Sequence, residues 1–310
     1  MTQDSLPGEP RRSGFAMLTV LWAVVVVSTV VLATALAGRD AFDAGRNRVS
    51  ATRAFWHASD CAERARLVIE NALSRSDAQP ARTWRTLDAA VLSDPLATTT
   101  DCETQLEATG TRLDVNAGSS EELTRLFTAL GREDSDALLE AVEDWRDDDN
   151  DPRPNGAEAS WYAARQRFLP RNGPIANELE LSRIRGLEDG SAEQFLSVEP
   201  GPISIATASA PVLLAIPGFT DETVAAILVA RAQGEQIDDL LAFGTRLSSS
   251  ARDSLLSHYQ EISRRTTLDP EAWILTASGW SGYPAVEARV ELRLVRTDRR
   301  AVVVRRRVRT

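Results

Sequence analysis

Residues 13–38 read SGFAMLTVLWAVVVVSTVVLATALAG, an unbroken uncharged stretch between Arg12 and Arg39. At a helical rise of about 1.5 Å per residue, about 20 such residues cross the hydrocarbon of a bilayer. A helix buried in a soluble core keeps a polar face, and this stretch has none. It reads as a membrane-inserted helix. Three fates fit such a segment. A secretory signal would end at a small-x-small site, which Ala35-Leu36-Ala37 supplies, but the apolar run before it is too long. A twin-arginine signal would use Arg11-Arg12, but Phe15 falls one place late and the run is again too apolar. A cut after Gly14 would leave the apolar run in the mature chain as its N-terminus. Arginines stand on both sides of the span (Arg11 and Arg12 before it; Arg39, Arg46, Arg48 and Arg53 after it), and counted alone they favour placing the following residues on the cytoplasmic side.

The helix is expected to run on beyond the lipid. From Asp40 to Ser74 there is no proline, and no glycine after Gly45. Phe55, Ala62, Ala65, Ile69, Ala72 and Leu73 fall near one helical stripe, and acidic residues and arginines fill the rest. Phe15 to Leu73 would form a rod roughly 90 Å long. Residues 76–115 have strand and loop character, with alternation across Thr98–Gly110. Residues 284–308 alternate on both sides of a turn at Asp298-Arg299-Arg300 and predict a β-hairpin. These two regions would form one sheet against the long helix, with residues 116–267 inserted between them. The insertion reads as helical. Ser119 to Glu122 is a capping box, a second helix spans about Glu133 to Trp145, and Pro211 sits in the first turn of another. Further helices are expected from Thr220 to near Gly234, from Asp238 to Phe243 and from Ser249 to Tyr259. Leu113–Leu123 and Ile203–Leu213 resemble each other as a weak repeat, with Asn177–Leu187 as a partial third copy. The fold class is α+β.

The 310 residues, 43% apolar and 26% charged, suffice for one large or two ordinary folded domains. Acidic residues outnumber basic ones 45 to 35, which disfavours nucleic-acid binding by bulk charge. Every basic residue apart from the two histidines is an arginine, so lysine-dependent chemistries are excluded: Schiff bases, Walker loops and kinase sites. Two cysteines and two histidines cannot build a four-ligand zinc finger or a four-cysteine cluster. His57 and His258 have no partner constellation and read as surface or packing residues rather than catalysts. No hydrolase, metalloprotease or phosphate-loop motif occurs, and no catalytic residues are assigned.

Two site candidates remain. Asp147, Asp149, Asp151 and Glu158 have the 1, 3, 5, 12 spacing of an EF-hand loop, but Pro152 stands where that loop needs glycine. A calcium loop of another kind and a solvated acidic loop both fit. Cys61 on the stem helix and Cys102 on the first strand would, if bonded, tie stem to sheet; two buried thiols are the alternative. The arginines between Arg289 and Arg309 read either as an exposed strand face or as a contact for an acidic partner.

Arg11-Arg12-Ser13-Gly14 followed by Phe15-Ala16-Met17-Leu18 resembles a type IV prepilin leader. In that class a prepilin peptidase cuts after the glycine, and the new N-terminal phenylalanine is commonly methylated. Most pilins carry Glu at the fifth mature position; here it is Thr19. A carboxylate in lipid costs a few kcal/mol unless paired, and in the family that Glu pairs with the amine of an adjacent subunit. Its absence, together with Leu113-Asp114-Val115-Asn116-Ala117, Asp144–Asp149, Pro152–Glu158, Trp161-Tyr162 and Ala176–Leu179, resembles the minor pseudopilin K family of type II secretion systems. The likeness spans about residues 11–245 and departs at Ser204-Ile205-Ala206, where Asn-Val-Asn is expected.

The resemblance implies a leader (1–14), a transmembrane and stem helix (15–75) and a pilin-like sheet (76–115 plus 268–310). It also implies an inserted helix-hairpin-helix-like or SAM-like domain (116–267), which in some members binds calcium. It implies a non-enzymatic, single-pass inner-membrane protein with its large domain in the periplasm, opposite to the side that the flanking arginines counted alone favour. Such a protein caps the pseudopilus tip, helps start assembly and limits filament length. Its implied partners are the I and J minor pseudopilins, the major pseudopilin, the prepilin peptidase and the inner-membrane secretion platform, with no nucleic acid expected. A membrane-tethered DNA-binding or uptake protein, using the Gly131 and Gly218 turns, is the rival reading.

Overall fold

The structure, a computed structural model, describes residues 13–75, 79–87, 97 and 99–309, with side chains from Met17 onward. The leader segment 1–12 lies outside the described residues. Helix α1 (Ser13–Ser74) is continuous over 62 residues, about 93 Å at the helical rise. Its first half is exposed throughout, from Met17 to Leu36, and is long and apolar enough to cross a membrane. Its second half lies on a sheet through Ala54, Ala58, Cys61, Ala62, Ala65, Ile69 and Leu73, all buried. Phe55 and Ala72, expected in that stripe, are only half-buried; the stripe is turned toward the smaller residues.

The sheet has four antiparallel strands in the order β1 (Cys102–Ala108), β6 (Ala272–Ser281), β7 (Val286–Thr297), β8 (Arg300–Arg309). The hairpin β7–β8 turns at Asp298 and Arg299, and Asp298 takes a left-handed φ of 56°. Strand β6 is not evident from alternation. Trp273, Leu275 and Ala277 pack against α1, while Ile274 and Thr276 on the opposite face border the insert, so neither face is freely solvated. At Gly279 the strand comes so close to α1 that a Cβ would overlap the backbone of Ala54 and Ala58. A short helix, α2 (Pro80–Arg85), corrects the purely strand-and-loop reading of 76–115. It is anchored by Trp84, whose Nε1 donates to Pro270 O at 2.7 Å while its carbonyl accepts from Trp273 Nε1 at 2.9 Å.

The connection from β1 to β6 is the insert, which has its own core. It comprises β2 (Leu113–Asp114), α3 (Ser120–Ala129), α4 (Ser135–Arg146), α5 (Ala159–Ala163), a 3-10 turn (Glu178–Arg183), β3 (Leu196–Ser197) and β4 (Ile203–Ser204). It continues with α6 (Ala210–Leu214), α7 (Asp221–Ala232), α8 (Leu240–Gly244), α9 (Ser249–Ser257), α10 (Tyr259–Arg265) and β5 (Thr266–Thr267). The repeat is visible: β2 and β4 each pair in parallel with a two-residue partner and lead into a helix. The third copy departs, because Glu178–Arg183 forms a 3-10 turn rather than an α-helix.

Ser119 and Glu122 form the capping box of α3. Glu122 also receives both forks of Arg265 at 2.8 Å, which ties the start of the insert to its end. Among the described residues, five further arginines each donate to two or three backbone carbonyls, Arg185 to those of Asn155 and Gly156. Arg125 reaches Leu214, Ile216 and Phe219; Arg146 reaches Val115 and Gly118; Arg231 reaches Ile205 and Ala208; Arg252 reaches Gly244, Thr245 and Leu247.

Among the contacts that hold these parts to one another are a disulfide and an ion cluster. Cys61 of α1 is disulfide-bonded to Cys102 of β1, with Cα atoms 6.4 Å apart and a separation of 41 positions in sequence. Glu199 of the insert sits against the sheet face away from α1. It takes Arg305 at 2.5 Å and Arg293 and Arg307 at 3.1 Å. Burial raises the Glu199 pKa, but its hydrogen bond to Arg305 and the surrounding positive charge outweigh this, and the net shift is downward.

Each contact gives a prediction. A cross-link closing a loop of this size contributes about 3–4 kcal/mol in the chain-entropy model. Cys61→Ser with Cys102→Ser therefore lowers the Tm measurably, and thiol titration of the denatured, unreduced wild type finds no free thiol; two free thiols would refute the bond. Because Glu199 is more acidic when folded, its contribution is complete above the ordinary carboxylate pKa of about 4.3 and is lost as pH falls through the lower folded value. Glu199→Gln should therefore destabilise the protein at pH 7, with the gap to wild type narrowing on acidification below about pH 4. A gap independent of pH would show that the ion cluster does not carry the contact.

Candidate functional site

The sequence-predicted site residues fall in three places. Gly14 and Phe15 belong by backbone to the first turn of α1, and Thr19 lies one turn further on its exposed apolar half. Cys61 and Cys102 join stem and sheet. The acidic loop is gathered differently from its spacing. Asp147 and Glu158 come together with Asp144, each offering a carboxylate oxygen within 4.8 Å of the others. Asp149 and Asp151 stay exposed, and Asp149 Oδ1 merely accepts from the Asp151 amide at 2.8 Å. Pro152 breaks the loop after Asp151, so the chain turns back toward Asp144 instead of wrapping as an EF-hand would.

Asp144 is fully buried at the end of α4, beside Trp145, and escapes a reading by loop spacing. The signal available in the sequence is an acid within the buried register of a helix. Gly156 makes the room, since a Cβ there would overlap the Asp144 carboxylate. Arg153 provides the positive charge. Its Nη1 lies 2.6 Å from both Asp144 and Asp147, and its Nε lies 3.0 Å from Glu143. The hydrogen bond to Asp147 dominates the upward shift of the Arg153 pKa, so the guanidinium stays charged. The Glu158 pKa is raised, first by burial and then by repulsion from Asp144, Asp147 and Asp149; the Ala159 amide opposes this. Asp147 Oδ1 and Glu158 Oε1 are buried and make no hydrogen bond. Two orphaned carboxylate oxygens beside a third buried acid fit a hard dication such as calcium, which takes oxygen ligands and relieves like-charge repulsion.

The histidines are structural. His258 packs over Gly218, which has a φ of +89°, and its Nδ1 lies 2.9 Å from Ser254 O. His57 lies against Gly279. The Gly218 turn required by the DNA-binding reading is thus covered by the insert itself, and its flanks are acidic, with Asp221 and Glu222 opening α7.

A family model described as type II secretion system (T2SS), protein K matches residues 86–200. The chain is 28% identical over 206 residues to the type II secretion system protein K of Klebsiella pneumoniae, an alignment covering 60% of this chain and 61% of that relative. The chain thus spans less than two thirds of that relative's length. A chain in the crystal structure of the GspK-GspI-GspJ complex from the enterotoxigenic Escherichia coli type 2 secretion system matches with a TM-score of 0.55 at 16% identity. That match covers 84% of this chain and 96% of the other. A long helix laid on an antiparallel sheet, a helical insert between β1 and β6, and the match to the protein K family model over residues 86–200 agree: the chain is similar in fold and in this part of its sequence to type II secretion system protein K.

Proposed function

We propose that the protein is a membrane-anchored subunit at the tip of a type II secretion pseudopilus, seated in the inner membrane with sheet and insert in the periplasm. The observation that carries this reading is the division of α1: an apolar half with nothing packed on it, then a half packed on a sheet. The lower stem is built to meet other helices. Phe42, Val49 and Trp56 are exposed and seven residues apart, hence on one face. Gly45 lies between Phe42 and Val49 and Gly38 just before Phe42, with open space around each, so nothing within this chain requires glycine there. Interior helix glycines cost about 1 kcal/mol each relative to alanine, and close approach of a neighbouring stem is a reason to keep them.

Thr19 supplies no carboxylate to pair with the amine of an adjacent subunit, and the insert makes the head bulky. Both suit an end position, where the head caps the filament, helps initiate assembly with I- and J-type partners and limits further addition. These partners follow from the family and from the structural relative, which was crystallised in complex with GspI and GspJ. The protein has a structural role and no catalytic one.

Two measurements test this reading. Mass spectrometry of the membrane-extracted protein should find a mature N-terminus at Phe15, carrying a methyl group. An N-terminus at Gly38 would instead mean a released secretory product. The acidic cluster of the insert holds calcium in this reading: Asp144, Asp147 and Glu158 bind the ion and Arg153 gives way to it. Calcium should then raise the Tm over that in chelator, and Asp144→Asn should abolish the difference. No shift, together with no bound metal by elemental mass analysis, would overturn the site.

A further inference from the structure

The junction between α2 and the insert forms a half-open cavity of about 280 Å³. Arg82 and Arg85 line one side; Arg231, at the end of α7, lines the other; Ile205, Ile237 and Leu268 supply apolar wall. The charges here are unequally satisfied. Arg85 is bonded to Asp238 and Asp269. Glu235, the acid in the lining, is bonded to Arg246. Arg82 makes no side-chain hydrogen bond or ion pair among the described residues, and Arg231 pairs with no carboxylate among them. The Nη atoms of Arg231 donate to the carbonyls of Ala208 and Ile205, and its Nε is buried without a partner. Burial alone pulls its pKa down to about 10. One buried guanidinium without a carboxylate partner, Arg231, and one exposed guanidinium, Arg82, thus meet a partly apolar cavity in a chain whose net charge is -10.

We infer that this cavity is a binding site for an organic carboxylate, its anionic group held between Arg82 and Arg231 and its apolar body against Ile205, Ile237 and Leu268. A buried charge without a counter-ion is unfavourable, and an anion entering a partly dehydrated site interacts more strongly than it would in water. Arginine forks match carboxylate geometry. The apolar wall selects an acid with a hydrocarbon or aromatic body over a compact inorganic anion, and the volume limits that body to about the size of one aromatic ring. Arg82 belongs to the pilin part and Arg231 to the insert, so the ligand would bridge the two. The carboxylate can come from a free small acid or from the end of a peptide chain.

The test is calorimetric titration of the full chain in detergent with phenylacetate, phenylacetamide, inorganic phosphate and an acetylated tripeptide ending in a free phenylalanine carboxylate. One-to-one binding of phenylacetate or the tripeptide is expected, with the amide and phosphate at least tenfold weaker. The tighter of the two acids identifies the source as free acid or chain end. Arg82→Glu, at an exposed position, should weaken binding at least tenfold. Ile237→Trp, which fills the cavity without touching a charge, should do the same, while both variants keep the wild-type Tm within a few degrees. No saturable binding of either acid, equal binding of the amide, or binding unchanged in both folded variants would overturn the site.

Discussion

The architecture depends on how closely α1 can lie on β6. Alanines at 54, 58, 62 and 65 present a flat helix face, and Gly279 lets the strand backbone reach it. Larger residues, Ile69 and Leu73, appear only toward the end of the helix, where Trp84, Trp273 and Leu275 widen the core. Burying side chains such as these stabilises the fold by about 1.5–3 kcal/mol each, whereas the alanine region contributes mainly by proximity. The consequence is that the upper half of one long helix becomes an inflexible part of the head. The lower half needs no support from this chain and stays free for lipid and for other helices.

The same sheet explains why a second domain can be inserted without disturbing the first. Strands β1 and β6 are antiparallel neighbours, with Ala108 opposite Trp273, and Thr109 donates through its amide to Ala272 O at 2.9 Å. Residues 109–271 therefore leave and return at adjacent points, as a hairpin loop does. The entropy of closing a loop grows slowly with its length, and this loop folds on its own core. Only a few contacts need to hold the two bodies in place, and Glu199 with its three arginines is one that both bodies share.

The membrane helix, its continuation, the β7–β8 hairpin, the capping box and most of the insert's helices are legible in the sequence, because each writes its period or its caps locally. What is not legible depends on long-range contact. Strand β6 has covered residues on both faces and so shows no alternation. Helix α2 is six residues long and is held by Trp84 rather than by a periodic face. The acidic cluster is half-legible: spacing finds Asp147 and Glu158 but adds Asp149 and Asp151, which the turn at Pro152 leaves outside. It cannot supply Asp144, whose place is set by the burial of α4 and by the missing side chain at Gly156. Glu199 lies in an unremarkable Val198-Glu199-Pro200 segment and acquires its role only when β7 and β8 arrive.

The absence of lysine also has a structural reading. Short helices and turns fill the insert, and each ends in carbonyls that the helix cannot satisfy. Arg125 and Arg252 meet such carbonyls at the ends of α6 and α8, and Arg146 and Arg231 meet carbonyls in the segments that lead into α3 and α6; each planar fork reaches two or three at once, a pattern a single ammonium on a flexible stem reproduces poorly. Carbonyls accept hydrogen bonds but carry no net charge, so an arginine used this way keeps its full positive charge inside the fold. Where an acid lies nearby, as Glu122 does for Arg265 or Asp144 for Arg153, the charge is balanced. At Arg231 it is not, and that residue lines the cavity where the insert meets the stem. Arginine bonding to carbonyls therefore does more than satisfy the backbone: it leaves the junction of the two bodies electrostatically incomplete, and an anion arriving from outside the chain is what completes it.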